Sequence, residues 1–437
     1  MPCVKERQYD AVVIGCGPGG SSVATFLARA GKRVLALEKE IFPRFHIGES
    51  LLPCNMPIFE EMGVLPALNE AGFPIKYAAQ FELGNGSVCT RFVFREGRFN
   101  RAPQAIQVER ARLDHILLKH TRASGADVRE GWTVTRFDTE ANGVNIEARD
   151  PAGQTHTFSA SYLIDASGRG NLTGNQENLR VMHPKWKKLA LFGHFENVAR
   201  DAGEANTDTI IVRLENKWFW IIPLSETKTS VGIVFDKNEF ASLEGAPAEI
   251  FQRWVEATPP VRKRMQEARL LGKIQTISDF SYHNRRLVSR RLLRVGDAAG
   301  FMDPIFSAGV YLAMWSGKLA SEVVCQCLER GQPSDRIFAK YERRVRRGLR
   351  FYWRVVENYY TTPFMELFLR PGNHYDLPSA VNAVLAGELE GGWSLRWRLA
   401  YFFLLVKIQR YFPIVPHIYF EARRARKLNP YRRPAKA

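Results

Sequence analysis

The chain lacks the features that would place it outside the ordinary globular class. Its six cysteines, Cys3, Cys16, Cys54, Cys89, Cys325 and Cys327, show neither C-x-x-C pairing nor framework spacing. That argues against a disulfide scaffold and a zinc site and points to reduced thiols in a cytoplasmic protein. No apolar run reaches the ~20 residues a membrane span needs, and the best, residues 399–406, is far too short. Polar residues 1–8 lead straight into an apolar strand, so no signal peptide is expected. Repeats and low-complexity tracts are missing as well. Acidic side chains are in deficit, 45 against 62 Lys and Arg, for a net charge of +17. Nucleic acid would explain such a surplus, but no helix-turn-helix, zinc finger or RNA-binding sheet motif accompanies it, and no nucleic-acid partner is expected. An acidic protein or an anionic substrate fits the charge equally well. At 437 residues and 45% hydrophobic content, the chain can bury a large core in one or two domains.

The most informative stretch is residues 9–38. Ala11-Val12-Val13-Ile14 has the composition of a buried parallel strand. Gly15-Cys16-Gly17-Pro18-Gly19-Gly20 follows, then a small-residue helix over 21–30 ended by Gly31, then Val34-Leu35-Ala36-Leu37 closing on Glu38. A lone G-x-G-x-x-G is weak. Here strand, helix, second strand and terminal acid fall in register, which predicts dinucleotide binding. Gly15, Gly17, Gly19 and Gly20 would let a pyrophosphate approach a helix N-terminus, and Glu38 would hold a ribose hydroxyl.

Residues 42–53 are too rich in Pro and Gly for a regular element and form a loop leading to a helix over 58–62. Arg44 in that loop meets either phosphate and cofactor ring or only solvent; its position leaves both open. Residues 73–83 read as a strand, Asn85-Gly86 as a hairpin turn and 88–94 as the return strand. Lys76 stands at the start of this element, where a lysine is most often a solvated edge group. A helix opens at 108–114 and runs to Ala123; residues 128–137, 144–149 and 155–160 read as antiparallel strands leading into a buried strand at 162–168. Strand-like runs at 210–214, 218–222 and 229–235 form a sheet that could floor a substrate chamber. Gly296-Asp297-Ala298-Ala299-Gly300 is a phosphate-compatible loop after a strand, and Asp303 to Gly309 opens a helix over 310–328 whose free N–H groups make an anion site. Residues 340–354 carry six arginines on one helix, usually a solvated basic face. The tail 393–412 places Trp393, Trp397, Tyr401, Leu404, Leu405, Ile408 and Tyr411 at three- and four-residue steps. Such a stripe is expected to pack on the protein, with peripheral membrane contact the less favoured alternative.

Three blocks in fixed order, Gly15 to Gly20 with Glu38, Asp165 to Gly168, and Gly296 to Gly309, resemble the FAD-dependent monooxygenase fold of the hydroxybenzoate hydroxylase type. The resemblance implies an α/β protein. Residues 1–75, 106–177 and 286–335 would form a discontinuous FAD-binding Rossmann-like domain, 76–105 and 178–285 a substrate-side β-sheet region, and 336–437 a helical C-terminal region. It implies that Glu38 meets the adenosine ribose and Asp297 the flavin-side ribose. Gly296 and Gly300 flank Asp297, and Arg110, in a V-x-R-x-x-L-D pattern, lies near the flavin. Within that fold the chain resembles the flavin-dependent halogenases. Trp218-Phe219-Trp220-Ile221-Ile222-Pro223 fits their W-x-W-x-I-P signature, and 42–53 is close to their loop after the second strand. Lys76 matches their lysine in K-x-G-A-x-F, with Ala78 in place of glycine, and Asp303 to Gly309 is similar to the D-P-I-F-S-S-G segment of the phenol and pyrrole subgroup. Phe306 stands where tryptophan-acting members carry a glutamate, which implies another ring.

The resemblance implies a reaction as well. Flavin hydroperoxide and chloride or bromide, held by the Ala308 and Gly309 N–H groups, would give hypohalous acid; Trp218 and Trp220 would bar the organic substrate from the flavin. Lys76 would pass the halogen to a phenol-like or pyrrole-like ring. It would act by hydrogen-bonding the oxidant or as a haloamine. No second nucleotide fingerprint is present, so FADH2 is expected from a separate flavin reductase. The substrate is free or tethered to an acyl carrier protein, whose acidity suits the basic surplus. No general base can be assigned between Glu49 and Glu82. The alternative is a flavin-dependent reductase or hydroxylase of the geranylgeranyl reductase or aromatic hydroxylase type; a basic FAD-carrying binding module is a third reading.

Overall fold

The computed structural model describes residues 8–183, 186–278 and 281–420. Residues 1–7, Cys3 among them, and residues 421–437 lie outside them; Cys16, Cys54, Cys89, Cys325 and Cys327 are free thiols. Among the described residues no helix is long and apolar enough to cross a membrane.

The fold grows from β1 (Tyr9–Ile14), α1 (Pro18–Arg29) and β2 (Val34–Glu38). β1 pairs in parallel with β2 and with Thr155–Asp165, which in turn pairs in parallel with Leu292–Arg294. A parallel strand has both faces covered, so its residues are apolar throughout; Ala11, Val12 and Val13 are fully buried. The stretch read as one strand over 128–137 is two. Asp127–Glu130 pairs in parallel with β2, and Thr133–Thr139 turns into an antiparallel hairpin with Val144–Arg149. The break falls at Gly131, whose φ of 77° is left-handed and ends the first strand.

A second sheet of seven strands runs in the order Arg269–Ser278, Lys188–Glu196, Lys228–Asp236, Trp218–Pro223, Thr209–Arg213, Ala78–Leu83, Cys89–Val93. Side chains alternate across a strand. Trp218, Trp220 and Ile222 therefore share the core cluster of the β1 side, whereas Phe219 and Ile221 pack with Ile250, Phe251 and Val255 on the opposite face. The single strand read over 73–83 is also broken: Ile75–Lys76 pairs with Ala105–Ile106 in a small separate sheet before Ala78–Leu83 joins the large one.

Helices complete the chain. Gly309–Glu329 crosses α1 so closely that a Cβ on Gly317 would sit 2.7 Å from the Gly19 carbonyl oxygen. Asp335–Tyr359 carries the arginine run, and Trp393–Gln409 lies last. On this last helix the inward face is Leu395, Leu399, Phe402, Phe403 and Val406, all buried. The stripe expected to pack inward is divided: Tyr401 and Leu405 pack against the core, whereas Trp393 is 79% exposed, Leu404 50%, Ile408 37% and Tyr411 75%. The helix is apolar on both sides, so spacing alone could not say which stripe the core would take.

Candidate functional site

The ends of the parallel strands, the loop after β2 and the Trp218–Pro223 strand enclose a cavity of about 780 Å³. Ligands of open α/β sheets bind at this edge. Gly15, Gly17, Gly19 and Glu38 line it from the βαβ unit, Gly296, Asp297 and Gly300 from the later loop. Gly15 holds a φ of 91°, and its carbonyl lies where a Cβ on Gly20 would be, 1.8 Å away, so Gly20 closes the turn from behind and does not line the cavity. A Cβ on Gly17 would meet no protein atom nearer than the Arg44 guanidinium at 3.7 Å. That open flank at a helix N-terminus is the cradle a pyrophosphate needs. Glu38 is aimed at the cavity by backbone donors: its carboxylate accepts from Cys16 N at 2.7 Å and Glu40 N at 3.0 Å. Burial pushes the Asp297 carboxyl up to about 6, against the pull of Arg169 and Arg110.

Arg44 and Arg110 both reach the cavity, and both are held by one acid. Arg110 Nε and Nη2 each donate to Asp114 at 2.8 Å, and Arg44 Nη1 donates to Asp114 at 2.7 Å. Burial would raise the Asp114 carboxyl, but the two guanidiniums outweigh it and keep it ionised. Arg110 also donates to the Ile47 carbonyl, so this pair pins the 42–53 loop against the cavity. His46 on that loop is driven down to about 4 by burial and by Arg110, which keeps its ring neutral.

The far wall is apolar. Trp218 and Trp220 face the cavity with ring centroids 5.8 Å apart, Trp220 donating to Ser230 Oγ at 3.0 Å. Trp218 Nε1 donates to the Tyr360 hydroxyl at 2.9 Å, and that hydroxyl donates to Asp303 at 2.7 Å. Lys188 Nζ lies 4.3 Å over the Tyr360 ring, and burial lowers its pKa. Tyr360 and Lys188 carry no sequence signal; they arrive from distant elements. The other Asp303 oxygen accepts from Ile305 N, shaping the turn before Ser307, which takes a φ of 54°. Ala308 and Gly309 then line the cavity at the start of the Gly309–Glu329 helix, where first-turn N–H groups have no intrahelical acceptor.

Of the two acids left open by the sequence, Glu49 lines the cavity and Glu82 does not. Glu49 Oε1 lies 2.7 Å from His194 Nε2, while its buried Oε2 has no partner among the described residues. Lys76 does not line the cavity. It is 2% exposed, its Nζ donating to the Leu51 carbonyl at 3.0 Å and lying 5.3 Å from the Phe94 ring centre. Desolvation lowers its pKa to about 7, against the attraction of Asp208. The loop thus passes from the cavity wall at Glu49 and Ser50 to the carbonyl that holds this amine within two residues.

Comparison with known proteins agrees with this geometry. The FAD binding domain family matches residues 8–358. The chain is 30% identical, over 82% of its length and 84% of the relative's, to 1H-pyrrole-2-carbonyl-[peptidyl-carrier protein] chlorinase of Pseudomonas fluorescens. It is 32% identical, over 74% and 79%, to the corresponding brominase of Pseudoalteromonas luteoviolacea. Among solved structures, the myxobacterial chondrochloren halogenase CndH superposes with a TM-score of 0.75 at 34% identity, covering 80% of this chain and 82% of that one. FAD is accordingly the dinucleotide of this chain. With its fold, its cavity and these relatives in agreement, the chain belongs to the flavin-dependent halogenases.

Proposed function

We propose that the protein makes hypohalous acid in the flavin cavity and spends it, through Lys76, on an electron-rich phenol-like or pyrrole-like ring. The observation that carries this reading is a buried amine with a pKa of about 7, held by the carbonyl of the loop that lines the flavin cavity. At neutral pH about half of such amines are uncharged and nucleophilic. Bound FADH2 would give two electrons to dioxygen and halide the other two, so that one oxygen atom ends in hypohalous acid and the other in water.

Gly15, Gly17 and Gly19 cradle the pyrophosphate, Glu38 takes the adenosine ribose and Asp297 the flavin-side ribose. Arg44 and Arg110, fixed by Asp114, hold the loop against the cofactor. Ala308 and Gly309 N–H groups bind chloride or bromide with the positive end of a long helix behind them. Trp218 and Trp220, braced by Tyr360 and Ser230, keep the organic ring from the flavin. Glu49, backed by His194, holds the proton that the cavity must give or take, and its unpartnered oxygen is the contact point. The Lys76 amine either hydrogen-bonds hypohalous acid or takes its halogen. If the amine only hydrogen-bonds the acid, the ring takes the halogen and the ring proton leaves with the hydroxide as water. If the amine takes the halogen, an N–H proton leaves with the hydroxide as water, and the ring proton restores the amine when the halogen passes to carbon. Orientation of the ring sets the position attacked in both cases.

The relatives named for pyrrole-2-carbonyl carrier-protein halogenation support a carrier-tethered substrate here. The basic surplus of +17 suits an acidic carrier. With a single nucleotide fingerprint, the chain takes its FADH2 from a separate reductase. The test is mass spectrometry of products from phenol and pyrrole acids, free and carrier-bound, with a flavin reductase and chloride or bromide. Halide-dependent mass gain on a ring is expected. Oxygen insertion, or NADPH turnover without an added reductase, would reject the proposal.

A further inference from the structure

The last helix, Trp393–Gln409, buries one apolar face and presents another. Trp393, Trp397, Ala400, Leu404, Ile408 and Tyr411 recur at three- and four-residue steps and so form one line along its outer side. That line is opposite the buried Leu399, Phe402 and Val406. Trp393 and Trp397 lie 6.3 Å apart, and Tyr375, itself 63% exposed, stands edge-on against Trp397 at 5.7 Å. Phe412, 72% exposed, and Ile414, 48% exposed, follow directly after the helix. Single exposed apolar residues are common; a continuous aromatic and aliphatic ridge marks an interaction surface.

Charge decides the occupant. Arg396, Lys407 and Arg410 project along one shoulder of the ridge, exposed, and none is in an ion pair among the described residues. No Asp or Glu occurs between Glu390 and Glu421, and the sequence after Glu421 is rich in arginine. A second copy of this chain would bring these like charges together. Tryptophan and tyrosine favour the level of lipid headgroups, leucine and isoleucine the acyl boundary just below, and flanking cations the phosphates.

We propose that this face seats the protein on an anionic lipid bilayer, the helix lying flat in the interface along roughly 25 Å. Binding of this kind is peripheral: the apolar side chains enter the acyl boundary and the basic shoulder contacts anionic headgroups. Of the stripe that spacing assigns to the protein interior, Tyr401 and Leu405 pack on the core, and Trp393, Leu404, Ile408 and Tyr411 are left to this face.

The test is flotation of the full-length, FAD-loaded protein with phosphatidylcholine vesicles, with and without phosphatidylglycerol. Wild type is expected to float with the anionic vesicles, less with the neutral ones, and to be released by high salt. Leu404→Glu/Ile408→Glu should lower the vesicle partition coefficient by roughly tenfold or more while FAD content and circular dichroism stay unchanged. Quenching of Trp393 by brominated lipids, lost in Trp393→Phe, would place that ring at the interface. The proposal is overturned if wild type stays with the neutral and anionic vesicles alike in the unbound fraction, or if the double variant floats as well as wild type. It is equally overturned if the ridge proves to serve another partner: a dimer in solution dispersed by the double variant, or an acidic carrier protein bound through Leu404 and Ile408 without vesicle binding.

Discussion

Replacing Lys76 by leucine tests the lysine assignment through stability and activity together. The amine titrates at about 7 in place of its ordinary 10.5 because burial strips it of water. At about 1.4 kcal/mol per pH unit, that gap amounts to ~5 kcal/mol that the folded state forgoes to keep the group. The sign follows from proton counting. Below pH 7 both folded and unfolded chains carry the proton, and the folded state bears the whole penalty. Between 7 and 10.5 only the unfolded chain is protonated, so stability rises with pH; above 10.5 the penalty is gone. Leucine has no such slope. Lys76→Leu should therefore be more stable than wild type near neutral pH, after deducting about 1 kcal/mol for the lost bond to the Leu51 carbonyl. Its advantage should shrink by ~2 kcal/mol between pH 7 and pH 9. Urea midpoints of both proteins at the two pH values measure this. The same variant should bind FAD as wild type does, since Lys76 does not line the flavin cavity, yet halogenate nothing. Lys76→Arg should be equally inactive, because guanidinium is neither neutral nor nucleophilic at these pH values. A stability difference that stays constant from pH 7 to 9, or halogenated product from Lys76→Leu, would refute the reasoning.

Further substitutions separate the parts of the site. The Cβ of Gly17→Leu would meet only the Arg44 side chain, at 3.7 Å, and the rest of leucine would project where the pyrophosphate is proposed, so the variant should fold yet purify without bound flavin absorbance. Glu49→Gln should retain FAD but lose turnover roughly 10²-fold or more; turnover equal to wild type would remove Glu49 from proton handling. Tyr360→Phe leaves the Trp218 N–H without its acceptor and Asp303 with one donor fewer. It should cost about 1–3 kcal/mol in denaturant unfolding and change Trp218 fluorescence.

Much of this protein is legible in its sequence because the relevant physics is local. The alternation in Trp218 to Pro223 sends both tryptophans to one face whatever the surroundings. The turn at Gly15 to Gly20 needs glycine for its own backbone, and Glu38 ends a strand that must lie beside β1. Trp218, Trp220, Gly15 and Glu38, which carry those features, line one cavity. Tertiary structure decided what depends on meetings between distant segments. It put Glu49, and not Glu82, at the cavity and backed it with His194. It split residues 73–83 so that the Lys76 amine leaves the large sheet and turns to the Leu51 carbonyl. It brought Tyr360 from the end of a remote helix to brace Trp218. It also chose which of two apolar stripes on the last helix would be buried, a choice periodicity cannot make because both faces satisfy it. Spacing along a chain reports which side chains point together; only packing determines what they point at.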